Sequence, residues 1–414
     1  MRTKILTLAA LGALALPFAA QGAVKVKINE DTGLTLGFML QTFYLHNDDD
    51  LVAPSDENEF LVRRARLRLK GDVTKYFSAF MQTEFADDNL RDPNQSGLSG
   101  GDVRMIDALI TVKPWEFFQI NVGELMSPAS RQNTTNPGAM MTFDRPLQNN
   151  KTLTWGTRSV GALQTRTLGF TNAGLKGDVD VRDLGVTLFG FYPFSDLISG
   201  KYYVGVYQGS DVAFEDSKRF TARLQVNLFD TEPGYYNNST YFGKKKTIAI
   251  GAAYDTQDDV AQEAVTGAGV DYRWYTVDAF ADYPLGPGSF TLEGAYNNLD
   301  LDGRGVLVSN FGQPTEATLS TTSAKQAEGD GFYVETGYFI PALGGLPGGW
   351  QPWFLYEKWD AGLDAGSYDA FRVGLTYVWK GHNANVKLGY EKIDPKGAGQ
   401  PDIDTFGVGF FMTY

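Results

Sequence analysis

Arg63, Arg64, Arg66, Arg68 and Lys70 crowd five cationic side chains into the stretch Glu59–Gly71. Guanidinium groups bind phosphate-like oxyanions through charge and paired hydrogen bonds, so this stretch is equipped to attract anions. A second basic group lies in Ser127–Gly177, where Arg131, Arg145, Lys151, Arg158, Arg166 and Lys176 are opposed by Asp144 alone, a local net charge of +5. Catalytic chemistry has little to draw on. Only two histidines, His46 and His382, and no cysteine are present, and no phosphate-cradling loop or His-Glu-x-x-His helix occurs. Neither a cofactor, a metal site nor an enzymatic activity is expected.

The elements that carry these residues read as strands, because alternate side chains of an extended chain point to opposite faces. Val62, Arg64, Arg66, Arg68 and Lys70 fall on one face of the basic stretch, and Leu61, Ala65, Leu67 and Leu69 on the other. Arg63 is the one charge on the apolar side. Taken alone, the segment also fits a charged edge strand of a soluble sheet. Other segments repeat the pattern, however. Phe220, Ala222, Leu224, Val226 and Leu228 alternate with Thr221, Arg223, Gln225 and Asn227. Phe371, Val373, Leu375, Tyr377 and Trp379 alternate with Arg372, Gly374 and Thr376. In Leu34–Leu45 the even positions, Leu34 to Leu40, are apolar, and Phe406, Val408, Phe410, Met412 and Tyr414 close the chain in the same way. Such repetition over nearly every strand is the pattern of a transmembrane β-barrel.

Sixteen such segments are expected, at 33–45, 60–71, 76–86, 103–113, 116–125, 181–192, 200–208, 218–229, 246–255, 271–283, 288–298, 331–340, 351–360, 368–379, 384–393 and 404–414. The apolar patch Ser159–Phe170 is assigned to a loop, because a bacterial barrel normally has an even strand count. Connections after odd strands are generally long (46–59, 87–102, 126–180, 256–270, 299–330) and those after even strands mostly short, as outer loops and periplasmic turns should be. Asp230–Lys245 is the exception, a long connection on the turn side, and Lys244–Lys246 within it reads as a solvated charge run. Tyr76, Trp115, Tyr192, Tyr202, Tyr283, Trp350, Trp379 and Tyr414 flank the turn side, where aromatic rings favour a membrane–water boundary.

The bulk properties agree. Met1–Ala23 has a basic start and a short apolar run ending in small residues, the pattern of a secretory signal peptide. Residues 24–414 then form one barrel domain. Removing Arg2 and Lys4 takes the net charge from −13 to −15, which argues against nucleic acid as a partner. The acidic outer segment 46–59 reads as a solvated face, with divalent cations available to bridge it to anionic lipopolysaccharide. The connection 127–180 is long enough to fold inward and narrow the lumen, where its charges would set ion selectivity. The same charges also fit an exposed surface, or pairing with lumen acids such as Glu84, Glu293 and Glu335.

Phe60–Gly71, with its Arg63-Arg64-Ala65-Arg66-Leu67 core, resembles the second strand of the phosphate- and polyphosphate-selective porin family (the porin O and P type) of Gram-negative outer membranes. Ile106-Asp107-Ala108, Val122-Gly123-Glu124 with Ser127-Pro128, Arg182 to Val186, Tyr203 to Tyr207, Phe332 to Tyr338 and Trp379 to Asn383 extend the resemblance over the mature chain. The resemblance implies a sixteen-stranded homotrimeric barrel in the outer membrane, surrounded by lipid and lipopolysaccharide. It implies a third loop folded into the lumen and an arginine ladder leading to a lysine-containing constriction, with Arg145 and Lys151 as candidates for the loop charges. Arg63 and Arg64 match the family's arginine pair, which sets the apolar-side placement of Arg63 against a bulge or tilt that turns it inward.

The expected function is a passive diffusion porin for small hydrophilic solutes that prefers anions such as phosphate. Arg63, Arg64, Arg66, Arg68, Arg131, Arg145, Lys151, Arg158, Arg223 and Arg372 are the expected pore-lining residues. The alternatives are a general or cation-preferring porin and, from another class, a structural or receptor barrel that does not conduct.

Overall fold

The structure is a computed structural model that describes residues 24–48, 58–86, 103–152, 181–209, 217–263, 268–301, 307–309, 317–319, 328–342, 347–399 and 401–414. The strands are β1 (Val24–Lys27), β2 (Gly33–Asp48), β3 (Asn58–Asp72), β4 (Phe77–Glu84), β5 (Arg104–Trp115), β6 (Phe118–Met126), β7 (Arg182–Pro193), β8 (Ile198–Tyr207) and β9 (Arg219–Phe229). They continue with β10 (Thr247–Glu263), β11 (Gly269–Leu285), β12 (Gly288–Asp300), β13 (Leu307–Ser309), β14 (Ala317–Leu319), β15 (Gly329–Pro341), β16 (Gly349–Ala361), β17 (Tyr368–Val378), β18 (Ala384–Pro395) and β19 (Ile403–Thr413). Strands β2 to β12 and β15 to β19 pair antiparallel in sequence order, and β19 pairs back onto β2. The result is a closed sixteen-stranded barrel. Closure gives each of the sixteen wall strands a partner on both sides, which is what allows a sheet to cross lipid.

The alternation sorts as the sequence requires. On β9, Leu224 is 67% exposed while its neighbour Arg223 is 1% exposed. Val226, Ile250, Val277, Phe354, Val373 and Phe410 face outward, whereas Gln225, Asn227, Asp278, Glu293, Arg372 and Thr376 are buried inside. Hydrocarbon outside and polar groups inside is the inverse of a soluble protein, and it follows from the solvent being lipid. Tyr76, Trp115, Tyr192, Tyr283, Trp350 and Trp379 are exposed at the turn end, as a boundary belt should be.

The wall departs from expectation in three places. β1 was not anticipated. It pairs with Gly33–Leu36 of β2, completing the edge that β19 leaves uncovered, because β19 reaches β2 only from Met39 onward. Strands β10 and β11 run on through most of the segment 256–270 expected as a loop, with a register shift between Gln257 and Ala261. Within the segment 299–330, β13 pairs with β14 and with the end of β10, extending the sheet past the wall. Residues 1–23 and the patch Ser159–Phe170 lie outside the described residues.

Candidate lumen site

Strand β3 presents its arginines inward, by a route that strict alternation does not predict. Gln41 pairs with Arg64 and Thr42 with Val62, so Arg63 is an extra residue in a β-bulge. The bulge shifts the alternation by one position. Arg63 and Arg64 are therefore both buried on the inner side, and Leu61 joins them while Val62 turns outward. The expected placement of Arg63 and Leu61 on the apolar face, and of Val62 on the basic one, is corrected accordingly. Lys70, at the turn end of the strand, is exposed and paired with Asp72.

The described part of the third connection, Ser127–Thr152, packs against the inner wall by apolar contacts as much as by charge. Phe143 sits among Phe43, Trp353 and Phe411. Two inner-wall glycines make room for it: a Cβ on Gly389 or Gly409 would stand 2.7 or 2.9 Å from the Phe143 ring. Met141 lies over Gly337 in the same way, at 2.6 Å from a Cβ placed there.

Beside Phe143, Asp144 accepts hydrogen bonds from Arg63 Nη2 at 2.7 Å and from Arg64 Nη2 at 2.9 Å. Burial alone would raise the Asp144 carboxyl, but Arg63, Arg64 and Arg145 hold it well below the usual carboxylate range. Arg64 Nη1 also donates to Gln41 Oε1 at 2.7 Å.

Wall residues hold the loop backbone directly. Lys387 donates to the carbonyls of Met140 (2.8 Å) and Thr142 (2.6 Å), and Arg372 to those of Asp144 (3.1 Å) and Arg145 (2.8 Å). Glu357 accepts from the N–H groups of Leu147 and Gln148 at 2.9 and 3.1 Å. Arg145 turns back on its own loop, donating to the carbonyls of Gln132 and Thr135 at 2.7 and 2.6 Å. Burial pulls its guanidinium below its ordinary value despite Asp144, and the nearby charges of Arg182, Arg66 and Arg63 add to the effect. Lys151 is buried with its ammonium 4.8 Å from the Trp359 ring, and burial lowers it too.

The long turn-side connection Asp230–Lys246 enters the barrel from the opposite end, which the sequence reading did not anticipate. Asn237 forms a parallel bridge to Thr135, exchanging backbone hydrogen bonds of 3.0 Å with Thr134 and Asn136. Ser239 N–H donates to the Ala139 carbonyl at 3.1 Å. Glu232 receives two hydrogen bonds from Arg131, at 3.0 and 2.8 Å, and Arg131 also reaches Glu293 at 3.2 Å. Arg131 and its neighbours hold the Glu232 carboxyl low against the opposing effect of burial. The expected solvated run is only partly so. Lys245 donates to the Thr231 carbonyl, and Lys246 stands 4.2 Å from the Phe229 ring.

Most of the expected pore-lining arginines thus meet carboxylates. Arg66 pairs with Glu84, Arg131 with Glu232 and Glu293, Arg223 with Asp278, and Arg372 with Glu391. Arg223 lies on β9, remote in the wall from β3, and Arg372 is engaged by Glu391 and the loop carbonyls; neither joins the β3 group. Arg158 lies outside the described residues. Lys201 and Lys387 were missed. Each is a buried inward lysine that donates to neutral groups, Lys201 to Asn237 Oδ1 at 2.9 Å and Lys387 to the two loop carbonyls. Their inward parity was readable from alternation, but a single lysine on a polar face carries no signal of its own. His46, near the outer end, and His382, in the turn between β17 and β18, do not meet.

A search of curated protein sequences returns no match. Among solved structures the barrel is similar to an anion-selective porin from Comamonas acidovorans, at 13% identity and a TM-score of 0.53, over 92% of this chain and 100% of that one. The outer membrane channel DcaP of Acinetobacter baumannii is 11% identical with a TM-score of 0.53, over 95% and 100% of the two chains. OmpT of Vibrio cholerae, in its trimer form, is 12% identical with a TM-score of 0.51, over 93% and 100%. At these identities the likeness is one of fold. The wall therefore has the fold of the outer-membrane porins, and residues 36–172, which include the basic strand and the loop beside it, match the family model described as phosphate-selective porin O and P.

Proposed function

We propose that the protein is a passive outer-membrane channel that favours small anions over cations. The observation that carries this reading is the charge imbalance on one sector of the inner wall. There the guanidinium groups of Arg63, Arg64, Arg66, Arg68, Arg145 and Arg182 share the three carboxylates of Asp144, Glu84 and Asp107. Arg64 Nε and Arg66 Nη1 are buried donors with no protein acceptor among the described residues, and a passing anion would satisfy them. A site of this kind must bind weakly enough to release, since conduction fails otherwise. The family match and the anion-selective porin from Comamonas acidovorans support the same direction. Export with loss of residues 1–23, contact with lipopolysaccharide and assembly as a homotrimer belong to this reading; the trimer form of OmpT supports the last.

A second reading has its own observation. Glu357 on β16 and Asp282 on β11 accept their hydrogen bonds from neutral donors, so carboxylates without a hydrogen-bonded cation also face the lumen away from β3. A channel whose ions followed those carboxylates would prefer cations. Reversal potentials in a KCl gradient across a bilayer separate the two. The anion reading expects chloride preference, and a potassium preference would overturn it.

A further inference from the structure

We propose that the cavity on the turn-side half of β3 is a binding site for a small organic anion, namely a carboxylate attached to an apolar body of about one ring. The inference rests on the anion-channel reading and adds a substrate class to it. The cavity has a volume of about 210 Å³, below the ~300–1,000 Å³ typical of drug-sized ligands. Three separate parts of the molecule build it: the wall strands supply Arg68, Phe80, Gln82, Asp107 and Met126, the third connection Asn136 and Pro137, and the turn-side segment Tyr236. It exists only because both inserted segments meet at this wall.

Its charge is set by Arg68. Arg68 lies four residues beyond Arg64, about 13 Å along the strand at ~3.3 Å per residue, and it forms no ion pair among the described residues. Its Nε donates to Gln82 Oε1 at 2.6 Å, and Gln82 Nε2 donates in turn to Asp107 Oδ2 at 2.7 Å. Asp107 is itself met by Arg182 at 2.9 Å, so the acid in the cavity is offset by a cation outside it. One positive charge remains, anchored through Nε, while Nη2 has only Met39 Sδ at 3.9 Å, a weak acceptor, among the described residues. The Nη pair therefore offers a carboxylate two parallel donors.

The remaining lining explains why the ligand is organic. Phe80, Met126 and Pro137 are surfaces that an inorganic oxyanion cannot use and that would strip its hydration without compensation. A ring or short hydrocarbon body gains by covering them, and the Tyr236 ring adds an aromatic face with a polar edge. The site thus separates ligands by what hangs from the carboxylate.

The test compares block of chloride current through the full-length protein in planar bilayers by benzoate and by acetate, with thermal stabilisation of the detergent-solubilised protein by the same two anions as a readout independent of conduction. Benzoate is expected to act at roughly tenfold lower concentration than acetate, the equivalent of burying a modest apolar area. Arg68→Gln should abolish block by both, Arg68→Lys should weaken both, and Phe80→Ser should bring benzoate down to acetate. Equal potency of the two anions, or benzoate block that survives Arg68→Gln, would overturn the proposal. The two readings fail separately. Chloride preference with equal potencies sinks the site alone, whereas potassium preference with an Arg68-dependent benzoate effect sinks the anion-channel reading and keeps the site.

Discussion

The segments Ser127–Thr152 and Asp230–Lys246 enter the same lumen from opposite ends and are held there by different physics. The first is pinned by a phenylalanine in a glycine-lined niche, by Asp144 against two arginines, and by wall cations donating to its carbonyls. The second is joined to the first through the Asn237 bridge and the Glu232–Arg131 pair, and to the wall mostly by neutral polar groups: Gln225 and Asn227 donate to Glu232 at 2.9 and 3.0 Å, Ser239 donates to Glu335, and the Tyr241 N–H donates to Asp282 at 2.8 Å. At the turns, His382 Nε2 contacts the Thr240 carbonyl at 2.8 Å. The loop-side segment is therefore held to the wall by cations and a buried ring, and the turn-side segment by hydrogen bonds to neutral and acidic wall side chains and by the loop-side segment itself. Two inserted segments that depend on each other narrow a channel more rigidly than one, because each supplies backbone partners the other would otherwise lack.

Deletion is the coarsest way to break that asymmetry. Replacing Asp230–Lys246 with a short turn should raise single-channel conductance several-fold and leave the sign of the reversal potential alone, since the β3 sector stays. Removing Ser127–Thr152 should raise conductance and also weaken the ion preference. Unchanged conductance in a folded barrel would show that the deleted segment stands clear of the conducting path. Glu232→Ala is the next largest perturbation. It leaves the buried Arg131 with Glu293 and one carbonyl, and breaking a buried pair from one side costs about 3–5 kcal/mol. The thermal midpoint should fall, and Arg131→Met combined with Glu232→Met should recover much of the loss.

His382 gives the turn-side anchor a pH dependence. Burial, with the nearby charges of Lys387 and Lys244, pushes its imidazole down to about 4 although the Thr240 carbonyl opposes this. A base that is neutral when folded is fully stabilising above its free pKa of about 6.5, and that stability is lost as pH falls from there toward 4, on the order of 3 kcal/mol in all. Protease nicking within 230–246 should increase over that window in the parent, and His382→Gln should flatten the profile. A parent profile that is flat between pH 7 and 4 would remove His382 from the anchor. The smallest effect is expected at the loop side. Asp144→Asn should tighten phosphate block by roughly tenfold, the worth of one released charge-assisted hydrogen bond, because Arg63 and Arg64 lose their carboxylate partner. Weaker block would mean that Asp144 positions those arginines for the anion.

The two segments were unequally legible in the sequence for a plain reason. Ser127–Gly177 announces itself by composition, six bases against one acid in an acidic chain. Asp230–Lys246 stands out in the sequence only by its length and its Lys244–Lys246 charge run, since Glu232, Asn237 and Ser239 are unremarkable until their partners are known. The same limit applies to Phe143, whose niche depends on Gly389 and Gly409 more than 240 residues away. Lys201 and Lys387 stayed hidden because a lone lysine on a polar face looks like any other lumen residue.

By itself the sequence determined that the chain is a closed barrel, how many strands form its wall, which faces meet lipid and which end carries the aromatic belt. Those properties are sums of a period-two pattern repeated along the chain, and each segment reports its own parity. Tertiary structure decided the face of Arg63 and Leu61, because one bulge shifts the alternation for every residue before it. It also decided which arginines are neutralised, since the pairing of Arg63 with Asp144 or Arg131 with Glu293 joins residues 81 and 162 positions apart. Charge alone marks the basic stretch Glu59–Gly71, and only the partners folded against it distinguish Arg68, which forms no ion pair among the described residues, from Arg66, which does.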